Sequence, residues 1–242
     1  MASITGVVAP VKTADKHAFL RHSRVAAEVL REHGALQIVE NWGDDVPDGE
    51  ATSFPFAVDR QSEETVILSW VLWPDRQTAA TAMQIFTDDK RMEAVNPPPF
   101  DGRRAIVGEF DLLLDMPCKA GGDRPIRYVD AFLAAVPTAN RAAYVEHATL
   151  SAPVFHDAGA LRLVECWGAD VPDGELSSMP MAVKKTAEET VVLSWVVWPD
   201  RATRETGMTQ VFDDPRIQPD ANPMPFDGKR LIYGGFETLL HA

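Results

Sequence analysis

The 242-residue chain is poor in several features that would classify it quickly. It has two cysteines, Cys118 and Cys166, too few to staple a chain this long and at no metal or redox spacing. Both are expected as reduced thiols. Basic charge is short as well: 23 Lys and Arg against 36 Asp and Glu leave a net charge of −13. A phosphate backbone would meet a repulsive surface, so nucleic acid is not expected as a partner. No apolar run approaches the ~18 residues of a membrane span. The opening MASITGVVAPVKTADKH lacks the basic start and long apolar core of a signal peptide, and a cytoplasmic protein without membrane contact is expected. Glycine-rich phosphate loops and the HxH and HExxH patterns are missing, so no cofactor and no metal are expected. What remains, 45% hydrophobic and 24% charged, is ordinary globular composition.

The chain is also a duplication. GALQIVENWGDDVPDGE from Gly34 returns as GALRLVECWGADVPDGE from Gly159, and EETVILSWVLWPDR from Glu63 as EETVVLSWVVWPDR from Glu188. The offset is 125 residues, and 29 of 43 positions from Gly34 to Arg76 are identical to their counterparts. One inserted residue near Pro219 changes the offset to 126, after which NPPPFDGRRAIVGEF from Asn96 pairs with NPMPFDGKRLIYGGF from Asn222. The expected organisation is one repeat over 1–114, a Pro- and Gly-containing linker over 115–127, and a second repeat over 128–242.

Within a repeat the pattern predicts strand, helix, strand, strand, helix, strand. The first helix starts near Thr13 (Thr138), with the threonine as N-cap. Its apolar stripe is Ala18, His22, Val25 and Val29, matched by Ala143, His147, Leu150 and Val154, and Gly34 and Gly159 end it. Strand two is read from Leu36 to Trp42 and strand three from Val66 to Trp73, with Pro-Asp-Gly turn chemistry between them. A second helix follows from near Pro74 to Asp88-Asp89, and strand four covers Arg104 to Leu112. This βαββαβ order is the ferredoxin-like split motif. Strand three is apolar on both faces apart from Ser69, so the face without helices must also be covered. The fold class expected is α+β: tandem ferredoxin-like repeats packed sheet to sheet about an internal pseudo-two-fold, a fused dimeric α+β barrel. Two separate beads that pair between molecules are the alternative.

The segments WGxDVPDGE, EETVxLSWxxWPDR and PFDGKRxIYGGF, around Trp167, Glu188 and Pro225, resemble the YbaA-like family, number 1428 among the domains of unknown function. The resemblance covers both repeats. It implies a ferredoxin-like fold of the dimeric α+β barrel type and no established activity. Repeat 1 departs from the pattern: Tyr128, Val129 and Asp130 correspond to Ser3, Ile4 and Thr5, Tyr233 to Val107 and Gly235 to Glu109. A site needing those groups belongs to repeat 2.

Alternation in strand two puts Leu36, Ile38, Glu40 and Trp42 on one face, and likewise Leu161, Leu163, Glu165 and Trp167. A carboxylate among apolar neighbours has its pKa raised and is an acid–base candidate. His147 and His22 lie on the helix stripe above the same sheet. Glu165 with His147 is therefore the candidate catalytic pair, with Glu40 and His22 as weaker equivalents. Trp167, Trp195, Ser194, Tyr233 and Asp130 are the substrate-binding candidates: an indole can wall a pocket for a flat ligand, and Ser194, like Ser69, is a buried hydroxyl needing a partner. The acidic loop Asp45, Asp48, Glu50 (Asp170, Asp173, Glu175) has the wrong spacing for an EF-hand and reads as a solvated turn. Cys166 stands where repeat 1 has Asn41, so a thiol is not a shared requirement. Gly234-Gly235 inside a strand suggests a bulge or close approach.

Three readings follow. The first is an enzyme acting on a small flat molecule between helix and sheet by cofactor-independent acid–base chemistry. Other α+β barrel families include cofactor-free monooxygenases and isomerases, an analogy of fold alone. The second keeps the cavity without turnover, for a stress-related metabolite or a partner protein. In the third the Glu/His pairs are architectural, in a monomeric pseudo-dimer still able to dimerise.

Overall fold

The computed structural model describes residues 1–118 and 124–242. Its strands are β1 (Ser3–Lys12), β2 (Gln37–Asp45), β3 (Glu64–Trp73), β4 (Ile106–Pro117), β5 (Tyr128–Pro137), β6 (Arg162–Asp170), β7 (Glu189–Trp198) and β8 (Ile232–His241). The helices are α1 (Lys16–Glu32), α2 (Phe54–Ala57), α3 (Arg76–Asp88), α4 (Lys90–Glu93), α5 (Arg141–Asp157), α6 (Met179–Ala182) and α7 (Arg201–Asp213). Of the expected linker 115–127, the first residues continue β4 to Pro117, and residues 119–123 lie outside the described ones.

Hydrogen bonds order the strands β4-β1-β3-β2 in the first half and β8-β5-β7-β6 in the second, all antiparallel. The halves then join at both edges, β2 to β8 and β4 to β6, closing an eight-stranded barrel. They thus meet through hydrogen-bonded edges as well as through inner faces. β4 makes this possible by running past its expected end at Leu112: Leu114–Pro117 pair with Glu165–Arg162. Closure satisfies edge N–H and C=O groups that an open sheet would expose.

Period-two alternation divides each strand between barrel and helices. Inward go Val66, Leu68, Trp70 and their counterparts Val191, Leu193 and Trp195. The two indoles Trp70 and Trp195 stack at the centre, centroids 4.3 Å apart and planes 22° from parallel. Two short helices that the sequence reading leaves as loop, α2 and α6, cap one end of this interior with Phe54 and Met179. Each is started by a serine, Ser53 accepting from the Phe56 N–H and Ser178 from the Met181 N–H, with proline in the first turn where no N–H is missed.

The long helices cover the outer faces but are rotated from the expected stripe. In α1 the buried side chains are Phe19, Ser23, Ala26, Ala27, Val29 and Leu30; in α5 they are Tyr144, Ala148, Ser151, Ala152 and Val154, with Ala143 and Leu150 exposed. Thr13 and Thr138 do not cap. They pair with Thr65 and Thr190 across to the sheet, and a short 3-10 turn precedes each helix. Gly34 (φ 102) and Gly159 (φ 101) end the helices in the left-handed region as expected.

Gly235 takes a close approach from a side chain: a Cβ there would lie 2.5 Å from the Tyr128 hydroxyl. Repeat 1 reverses the sizes, with Ser3 beside Glu109, which accepts from Thr5 at 2.7 Å. Gly235→Ala should therefore cost about 1–2 kcal/mol by overpacking, read as a lower urea midpoint. Tyr128→Ser in the same chain should recover part of the loss.

Candidate functional site

On the outer face of the second half, register places Glu165 of β6 directly beside Ser194 of β7. Both side chains face α5, because Val164 and Cys166 take the inward positions. Above them α5 presents Tyr144, His147, Ala148, Ser151 and Phe155, and the segment between α7 and β8 adds Met224, Phe226 and Leu231. These groups line a cavity of about 150 Å³ that is partly open to solvent, apolar over most of its wall and polar where Glu165, Ser194 and Tyr144 meet.

The Tyr144 hydroxyl donates to Glu165 Oε2 at 2.5 Å, and Ser194 also hydrogen-bonds the carboxyl. Burial pushes the Glu165 carboxyl up to about 7, while Tyr144 and Ser194 pull it back. The phenol is driven well above its ordinary value by its own burial and by Glu165, so it stays a donor. The result is a carboxyl able to gain or lose a proton near neutrality, held from two sides and adjoining an apolar cavity.

His147 lines the same cavity but is not the partner of Glu165. Its Nδ1 pairs with Asn222 Oδ1 at 2.9 Å, and the Asn222 amide donates to the His147 carbonyl (3.1 Å) and to Ser151 Oγ (3.0 Å). Asn222 is itself buried. Burial lowers the imidazole pKa despite that bond, so a neutral ring donates from Nδ1. The pair fastens the segment carrying Met224 and Phe226 onto α5, and His147 is a positioning residue.

The other sequence candidates separate. Trp167 packs beneath Tyr144 (centroids 6.2 Å apart) and under Arg141. Trp195 touches the cavity while its ring lies in the barrel core, stacked on Trp70. Tyr233 is 47% exposed beside Phe132 on the neighbouring strand. Asp130 sits in a second cluster: Arg204 grips its carboxylate at 2.7–3.0 Å, and the Trp198 indole donates to it at 2.9 Å. Arg204 also reaches Asp45 of the first repeat (2.6 Å), and Tyr128 donates to Asp44 (3.0 Å). This cluster ties the two halves together. The acidic loop is partly engaged in the same way, Asp45 by Arg204 and Asp48 by Arg60. Among the described residues no group of three or more His, Cys, Asp or Glu is arranged to hold a metal ion, and no helix is long and apolar enough to cross a membrane.

Repeat 1 keeps part of the site. Ser69 donates to Glu40 Oε2, and burial pushes Glu40 up to about 7 against that single donor. Phe19 stands where repeat 2 has Tyr144, and Ala26, Pro98 and Ala105 where it has Ser151, Met224 and Leu231. His22 Nδ1 meets the Val95 carbonyl at 3.3 Å. Sequence reasoning missed Tyr144, Ser151 and Asn222. The available signal was the Phe19/Tyr144 difference, one hydroxyl added at a helix position otherwise aromatic in both repeats.

The sequence matches the family described as "Protein of unknown function (DUF1428)" twice, over residues 3–102 and 127–228. It is 47% identical to the "Uncharacterized protein YbaA" of Escherichia coli K12 over 115 residues, 48% of this chain and 98% of that protein, and equally to YbaA of Shigella flexneri. Two crystal structures share the fold at low identity, each named a "Putative monooxygenase". The one from Lactobacillus acidophilus NCFM aligns with a TM-score of 0.60 at 9% identity, over 100% of this chain and 96% of its own. The one from Fusobacterium nucleatum aligns with a TM-score of 0.58 at 10% identity, over 99% and 93%.

Proposed function

The chain belongs to the DUF1428 family of proteins of unknown function, and from that premise we propose that its second repeat binds a small organic molecule between α5 and the sheet, where Glu165 transfers a proton without a cofactor. The carrying observation is the buried Glu165 carboxyl, held by Tyr144 and Ser194 at the edge of an apolar cavity. In its ionised form Glu165 accepts a proton from an O–H or from a C–H beside a carbonyl, and the electron pair stays on the ligand as an enolate or its equivalent. Returning the proton to a different atom isomerises the ligand, with atoms and electrons balanced. Tyr144 and Ser194 orient the carboxyl, and His147 and Asn222 hold the wall.

The fold is compatible with this reading. Each half, 1–114 and 128–242, is in it a ferredoxin-like unit, and the chain works as a single-chain pseudo-dimer. The likeness to monooxygenase-like barrels is one of architecture and assigns no reaction. In repeat 1 the Glu40–Ser69 pair is architectural, because Phe19 supplies no hydroxyl.

The test is deuterium uptake at the carbon beside the carbonyl of cyclohexanone, followed by NMR in D₂O with a molar excess of ketone. General-base catalysis of this kind is worth about 100-fold or more, so Glu165→Gln should lose at least about that factor while Glu40→Gln keeps the parent rate. Equal exchange with parent and Glu165→Gln, or none above buffer, would overturn the acid–base reading.

A further inference from the structure

The cavity has a size, a lining and a charge, and each restricts what it can take. An apolar cavity of about 150 Å³ holds one benzene ring, and the repeat 2 cavity is about that large. Two fused rings would not fit within that volume and would reach past its open side into solvent. The wall includes three phenylalanines, Phe132, Phe155 and Phe226, from three different elements, a lining that favours a flat ring over a flexible chain.

Charge restricts it further. The lining contains no Lys or Arg, so a carboxylate or phosphate would enter without a counter-charge next to an acidic side chain, a costly burial. An ammonium would need Glu165 ionised in surroundings that favour its neutral form, and both ions would be desolvated together. Of the polar side chains in the lining, His147 and Ser151 are engaged with Asn222, which leaves Tyr144, Ser194 and Glu165 as the polar end of the cavity. Tyrosine and serine hydroxyls both donate and accept, and the carboxyl accepts or, when protonated, donates. A ligand hydroxyl, itself donor and acceptor, matches that end; a purely accepting or purely donating group matches only part of it.

We infer that the ligand of this site is an uncharged single-ring molecule carrying one hydroxyl on the ring, a phenol or the enol of a cyclic ketone, with its ring among Phe132, Phe155 and Phe226 and its hydroxyl at Glu165, Ser194 and Tyr144. The inference rests on the small-molecule site proposed above and narrows its ligand. Repeat 1, with Phe19 and Pro98 at the corresponding positions, takes no such ligand.

The test is calorimetric titration of the full chain at pH 7 with four probes: phenol, benzoate, benzylamine and 2-naphthol. Phenol should bind in a one-to-one ratio, and the other three at least tenfold more weakly. Ala148→Leu, which puts three more carbons into the cavity, should reduce phenol affinity at least tenfold; should that variant misfold, Tyr144→Phe serves instead, with an expected loss of several-fold. Benzylamine or benzoate binding more tightly than phenol, with the same sensitivity to these variants, would overturn the ligand class and leave the site in place. Phenol binding unaffected by either variant, or no binding by any probe, would overturn the inference, while the deuterium exchange at Glu165 judges the acid–base reading separately.

Discussion

Glu165→Gln should make the protein more stable at pH 8 and leave it nearly unchanged at pH 4. The carboxyl is pushed from its ordinary 4.5 to about 7 in the folded chain, first by burial, so the folded state binds its proton more tightly than the unfolded state does. Its contribution is therefore fully present below pH ~4.5 and is lost as pH rises through ~7. A displacement of this size corresponds to about 3 kcal/mol, an order-of-magnitude figure. Glutamine mimics the protonated acid: its carbonyl can accept from Tyr144 and its amide can donate to Ser194. Urea unfolding at the two pH values checks this. A glutamine variant weaker than the parent at pH 8, or a difference independent of pH, would contradict the account. Glu40→Gln should behave similarly, since Glu40 is pushed up to about 7 by the same cause. A buried acid kept at a stability cost near neutral pH is the pattern expected where function opposes stability.

Arg204→Ala should cost about 3–5 kcal/mol at pH 8. Asp130 is 1% exposed, and Arg204 is the cation that grips it, at 2.7–3.0 Å. Removing the guanidinium strands a buried carboxylate and releases Asp45 of the other repeat. At pH 4 the loss should shrink, because Asp130 can then take a proton. The chain contains its own control: repeat 1 has Thr5 for Asp130 and Ala79 for Arg204, and there the Trp73 indole donates to the Thr5 hydroxyl at 2.9 Å. The double variant Asp130→Thr with Arg204→Ala places the same indole–threonine pair in repeat 2, without the Glu109 that Thr5 also bonds, and should recover more than half of the loss. A single-variant cost below about 1 kcal/mol, or no recovery in the double variant, would show that the stranded Asp130 carboxylate is not the source of the loss.

These two clusters show where the sequence was legible. Period-two alternation located Glu40 and Glu165 on the helix-facing side, because strand geometry leaves no freedom once a face is chosen, and marked Ser69 and Ser194 as buried hydroxyls needing a partner; that the partners are Glu40 and Glu165 follows from the strand register. Repetition at a fixed offset located the two halves. The helix phase was not legible in the same way. α5 carries apolar side chains around much of its circumference, with Leu150 half exposed while Ser151 next to it is buried, so a stripe chosen on hydrophobicity selected Ala143 and Leu150 and passed over Tyr144. Asn222 was missed for another reason: it lies in an irregular segment far from His147 in sequence, and its burial follows from tertiary contact alone. The helices α2 and α6 were read as loop because four residues are too short for any periodicity, although the Ser-x-Pro start of each marks a capped first turn.

The most direct measurement is the titration of the Glu165 carboxyl itself, by ¹³C NMR on chain labelled at glutamate and assigned by the resonance that disappears in Glu165→Gln. The expected result is a midpoint near 7 that moves when phenol is added. An ordinary midpoint near 4.5, unchanged by the ligand, would contradict it.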